Sequence, residues 1–199
     1  MSGKPDLAAL VASRLCHDLI SPIGAISNGL ELLAMGPLQN SPEMEMIAQS
    51  VASASTRIRF ARVAFGPADP QQILGAEEIR LILAEVAKFG RAKIEWRSSE
   101  IVLRQNAKIA FLMILCLESA MPYGGRIVYE SDASGHSVRC EAERLKLQAN
   151  DWSRIQRRAY ADDVDSAHVH IAILGNALNE RGVACKLVVA EKMIRFAWT

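Results

Sequence analysis

From Met44 to Phe65, apolar side chains recur at alternating steps of three and four: Met44, Ile47, Val51, Ala54, Ile58, Ala61 and Phe65. This unbroken a/d heptad pattern demands a helix packed along its whole length. Ser41 supplies an N-cap, Pro42 an N1 proline and Glu43 an early negative charge; Gly66-Pro67 ends the helix. Ahead of it, the cap at Asp6 starts a helix expected to run to about Met35, where Gly36-Pro37 stops it. At ~1.5 Å per residue that helix is about 45 Å long. Two helices joined head to tail cannot bury two apolar faces, whereas a pair of such hairpins can. Residues 1–66 are therefore predicted to be an antiparallel helical hairpin that forms a four-helix bundle by dimerisation. Packing of the hairpin on the rest of its own chain is the plainer alternative, and the length of the first helix favours the dimer.

Beyond the boundary at Gly66 to Pro70, helical and strand patterns intermix. Helices are expected over Ala76–Phe89, Gln105–Met121 and Asp165–Arg181, the last closed by Gly182. Strands are expected over Ala92–Arg97, Arg126–Glu130, Ser137–Leu147, Lys186–Ala190 and Ile194–Trp198. The fold class is α+β: the hairpin, then a two-layer α/β sandwich with a mixed sheet over residues 71–199. The formal net charge of +1 gives no footprint for nucleic acid. Cys16, Cys116, Cys140 and Cys185 are scattered and read as reduced, mostly buried thiols. No secretory leader and no uninterrupted apolar run of membrane-spanning length is visible, which predicts a cytoplasmic protein.

His17 lies in Arg14-Leu15-Cys16-His17-Asp18-Leu19-Ile20-Ser21-Pro22-Ile23. On a helix its face is shared with Ser13, Arg14, Ser21 and Gly24, with Asn28 further along. Leu15, Leu19, Ile26, Leu30 and Leu33 form the stripe behind. Small neighbours leave the imidazole open to a protein surface, and Arg14 is placed to meet anionic oxygens. An imidazole, with a reference pKa of about 6.5, keeps a lone pair near neutrality and can accept a phosphoryl group. A carboxylate can hold the proton on the other ring nitrogen. Asp18 could do so, but adjacent helical residues diverge, so the contact needs a bent rotamer. Pro22 removes a helical hydrogen bond and crowds the Asp18 carbonyl, so a kink or a break at Ser21 is expected. A lone histidine is most often a plain surface residue; the stripe, the acidic neighbour and the proline together point to chemistry.

His17-Asp18-Leu19-Ile20-Ser21-Pro22 resembles the H-box of two-component histidine kinases. By that resemblance His17 is the phosphorylated residue, Asp18 its acid/base partner, and Ser21 orients water or the incoming acyl phosphate. Ile109 to Met121 followed by Pro122-Tyr123-Gly124-Gly125-Arg126-Ile127 resembles the end of a kinase N-box helix and its turn into a strand. Cys116, Leu117 and Glu118 stand where the magnesium-binding asparagine is sought, and no Asp-x-Gly-x-Gly or glycine-rich lid precedes the last helix. Phosphates have no backbone cradle there, so the second domain resembles a degenerate histidine-kinase ATPase domain.

With Arg62-Val63-Ala64-Phe65-Gly66 closing helix two, the whole arrangement resembles the ChpT-type histidine phosphotransferases of bacterial cell-cycle phosphorelays. The resemblance implies a homodimer that takes phosphate from the receiver domain of a hybrid sensor kinase and delivers it to receiver domains of response regulators. Ser13, Arg14, Gly24 and Asn28 would meet the partner. It implies no cofactor of the chain's own and no ATP, the Mg²⁺ coming from the receiver. Neither nucleic acid nor a membrane is expected as partner. A non-catalytic adaptor that binds receivers and an ATP-using kinase or phosphatase are the rival readings. His168-x-His170 is a poor metal pair because residues two apart on a helix diverge. Arg154, Arg157 and Arg158 read as a solvated face or a receiver contact, and Cys16 as packing.

Overall fold

Asp6 caps the first helix as expected: its Oδ1 accepts the backbone N–H groups of Ala8 (3.0 Å) and Ala9 (3.2 Å). The structure is a computed structural model that describes residues 6–33, 42–98, 101–146, 152, 155 and 164–199. Helix α1 spans Leu7–Leu33 and α2 spans Pro42–Ala64, packed along each other as a hairpin. The stop at Gly36-Pro37 and the Ser41 cap lie outside the described residues. α1 is continuous through Pro22, which is buried, so there is no break at Ser21. Close approach of the helices is set at Gly29, where an added Cβ would stand 2.5 Å from Ile47 Cγ1.

The heptad of α2 is half used within the chain. Ile47 and Ala54 are partly buried and Ala61 is buried, whereas Met44, Val51 and Ile58, one heptad apart, are all exposed. On α1, Ile20, Ile23 and Leu30 are likewise exposed. By length and composition alone α1 is long and apolar enough to cross a membrane. Its middle carries Arg14, His17 and Asp18, groups that are costly in hydrocarbon. Cys16 is exposed, against the reading of it as packing, because it sits on the open apolar side of α1.

The remaining elements are β1 (Ile73–Leu74), α3 (Ala76–Phe89), β2 (Ala92–Trp96), β3 (Val102–Leu103), α4 (Arg104–Ala120), β4 (Gly125–Asp132), β5 (Gly135–Glu141), α5 (Val169–Arg181), β6 (Cys185–Ala190) and β7 (Met193–Trp198). Five strands form a mixed sheet in the order β2-β4-β5-β7-β6; β2 and β4 are parallel, joined through α4, and the other pairs are antiparallel. β1 and β3 make a separate two-stranded ribbon too short to show a period. The last helix starts four residues later than expected, because Asp165 caps a turn instead: its Oδ1 accepts the His168 N–H at 2.9 Å.

Alternation along the strands puts Ile127, Tyr129, Val138, Cys140, Ile194, Phe196 and Trp198 into the core beneath the helices. Burial pushes the Cys140 thiol up to about 11. The core runs on into the hairpin, since Phe60, Val63 and Ala64 of α2 join it and the Phe60 ring lies 4.8 Å from that of Phe111. The C-terminal carbonyls of α2 are taken by α4: Arg104 Nη1 donates to Val63 O (2.8 Å), Arg104 Nη2 to Arg62 O (2.5 Å) and Lys108 Nζ to Gly66 O (2.9 Å). The junction of the two parts is thus hydrogen-bonded rather than a loose linker.

Candidate functional site

His17 stands in the middle of α1 with 85% of its side chain exposed. Ser13, Ser21, Gly24 and Asn28 share its open face, and a Cβ at Gly24 would meet nothing within 4 Å. Arg14 and Asp18 fall on the neighbouring side of the helix, turned toward the sandwich and three-quarters shielded. The expected contact is present in a long form: His17 Nδ1 lies 3.4 Å from Asp18 Oδ1. This leaves Nε2 of the ring facing outward.

Arg14 does not point to free solvent as an anion receptor. Its Nε donates to Asp18 Oδ2 at 3.0 Å, and its Nη1 donates across the hairpin–sandwich junction to Ala167 O at 2.7 Å. Ser21, assigned beside His17 by the resemblance, is exposed one turn on. Pro22 has no N–H, so the Asp18 carbonyl lacks its usual helical donor beside the site.

Beneath the Arg14–Asp18 pair is a cleft of about 210 Å³ between α1, α2, α3 and α4, with Leu19, Phe60 and Leu115 on its walls. Glu118 opens into it. Burial raises the Glu118 carboxyl above its ordinary value, and the charges of Arg14 and Arg57 oppose that rise. Glu118, the one charged residue in the mostly apolar stretch Ile109 to Met121, was the sequence signal for a half-buried carboxyl here. Nothing in the pattern announced Ala167, which reaches the site only through the fold.

Between α4 and α5, buried Trp152 and Ile155 border a cavity of about 30 Å³, together with Cys116, His168 and His170. The two histidines diverge: His168 Nδ1 lies 2.7 Å from Asp165 Oδ1, whereas His170 is buried and, among the described residues, its ring nitrogens make no hydrogen bond of good geometry. Burial, with the charges of Arg14 and His168, pushes the His170 imidazole down to about 3. Among the described residues no group of three or more His, Cys, Asp or Glu side chains is arranged for a metal. Arg154, Arg157 and Arg158 lie outside the described residues.

A family model described as "Histidine phosphotransferase C-terminal domain" matches residues 76–192, from α3 into the β6–β7 turn. The chain belongs to the histidine phosphotransferase C-terminal domain family. A protein phosphotransferase ChpT from Brucella abortus (strain 2308) is 36% identical over 131 residues, which are 65% of this chain and 62% of that protein's length. A solved structure of a bacterial phosphotransferase superposes with a TM-score of 0.79 at 27% identity, covering 98% of this chain and 96% of its own. The α+β architecture of this family member is therefore the one the resemblance predicted, hairpin and sandwich together. His17 lies N-terminal to the segment that the family model covers, so its role rests on the geometry of α1.

Proposed function

We propose that this chain is the histidine phosphotransferase of a multistep phosphorelay. It takes a phosphoryl group on His17 from the receiver domain of a hybrid sensor kinase and passes it to the receiver domains of response regulators in the cytoplasm. One observation carries the reading: an imidazole open to solvent in mid-helix, with Nδ1 turned to a carboxylate and Nε2 outward. Nε2 bonds to phosphorus as the acyl-phosphate P–O bond of the donor breaks, and the donor aspartate leaves as a carboxylate. The ring keeps its proton on Nδ1, and Asp18 offsets the positive charge that the ring then carries. Return transfer retraces this path. Mg²⁺ on the transferring group belongs to the receiver's acidic pocket, and catalysis by this chain is chiefly proximity.

The unused heptad row supports a homodimer. Met44, Val51 and Ile58 of α2 and Ile20, Ile23 and Leu30 of α1 present an apolar face that a second hairpin would cover in a four-helix bundle.

The test is transfer from a radiolabelled phosphorylated receiver domain without ATP, wild type beside His17→Ala. Acid-labile, base-stable label on wild type alone is expected. Absence of label on both, with receiver binding intact, would leave a docking adaptor.

A further inference from the structure

We propose that Arg14 is a positioning residue: anchored on the sandwich, it holds Asp18 where that carboxylate can face His17. This rests on the reading of His17 as phosphoryl acceptor. Adjacent residues on a helix point about 100° apart, so Asp18 has no inherent reason to serve His17. Its two oxygens have separate duties. Oδ2 accepts from Arg14 Nε at 3.0 Å, and Oδ1 is left on the His17 side, 3.4 Å from Nδ1. An Arg–carboxylate pair four apart on an open helix would wander between rotamers. Here the guanidinium is held at its other end, where Nη1 donates to Ala167 O at 2.7 Å.

That carbonyl is itself fixed. It belongs to the turn that leads into α5, and Asp165 closes the turn by accepting the His168 N–H on Oδ1. The Ile171 N–H donates to His168 O at 2.9 Å and continues the chain into the helix. A planar guanidinium can serve two acceptors in fixed directions at once, which an ammonium on a flexible stem cannot. The turn into α5 thus steadies the partner of the reactive histidine. Orientation of the sandwich on the hairpin becomes a determinant of His17 reactivity.

The experiment uses the full chain and phosphoramidate, a small donor that needs no docking. The Nε2–P bond forms as the donor's P–N bond breaks and ammonia leaves. Label on His17 is followed for wild type, Arg14→Ala, Arg14→Lys, Asp18→Asn and the Arg14→Ala/Asp18→Asn double variant, after circular dichroism confirms folding. Arg14→Ala is expected to lower the second-order rate constant for labelling of His17 by roughly tenfold or more. Arg14→Lys is expected to behave like alanine. In the Asp18→Asn background, removing Arg14 should change the rate less than about twofold, because the two act as one unit. Ring ¹⁵N shifts of His17 should move toward mixed tautomers in Arg14→Ala. An unchanged rate in Arg14→Ala, full rescue by lysine, or losses that multiply in the double variant would each overturn the proposal. Label from phosphoramidate but none from a phosphorylated receiver would sink the phosphorelay reading and leave this inference intact. No label on wild type from either donor would remove both.

Discussion

Replacing His170 by leucine should abolish much of the acid sensitivity of the fold. The His170 ring is 1% exposed at the start of α5, and among the described residues neither nitrogen makes a hydrogen bond of good geometry. Burial pushes its pKa down from 6.5 to about 3. Between those values the unfolded chain holds a proton that the folded chain does not. Stability therefore rises with pH across the window and falls on acidification below about 6.5, with a slope of up to ~1.4 kcal/mol per unit. At about pH 5, some 1.5 units into the window, wild type should have lost about 2 kcal/mol through this residue. Above about pH 7.5 the ring is neutral in both states and ionisation contributes nothing. There His170→Leu, similar in volume, should be about as stable as wild type. Half-buried His136 is also pushed down by burial, and it contributes equally to both proteins. Urea denaturation followed by circular dichroism at about pH 7.5 and about pH 5 measures the difference. Equal acid losses in the two proteins would refute the reasoning. So would a large loss in the variant at neutral pH, which would mean that the ring makes a bond there.

Two further changes probe the assembly. Arg104→Met leaves the Val63 and Arg62 carbonyls at the end of α2 without their donors and should cost about 2–4 kcal/mol in chemical denaturation; a loss within 0.5 kcal/mol would show that the junction does not depend on it. Val51→Glu with Ile58→Glu places charges on the exposed heptad row and should convert a dimer to a monomer in light scattering, with helix content retained; a dimer that persists would move the interface elsewhere.

Local chemistry fixed much of this protein before folding is considered. The Asp6 cap, the α2 heptad and the step-of-two strands are written in neighbouring residues, so the hairpin and most of the sandwich elements could be read from the chain. α3 was legible to the residue because Gly75 and Gly90 flank a clean amphipathic run. The open face around His17 followed from helical geometry alone, since Ser13, Ser21, Gly24 and Asn28 are close in sequence. Contacts over long separations were decided by tertiary structure. The Arg14–Ala167 bond joins residues 153 apart, and a backbone carbonyl carries no sequence signature. Arg104 and Lys108 on the end of α2 look like ordinary helix surface until the two helices meet. Asn106, bonded to Trp198 and His136, gathers three elements into a polar cluster that no periodicity marks. Which row of the heptad is spent inside the chain, and which is left for a partner, depends on where α1 lies. A stripe records that a face must be buried; only the packed chain decides what buries it.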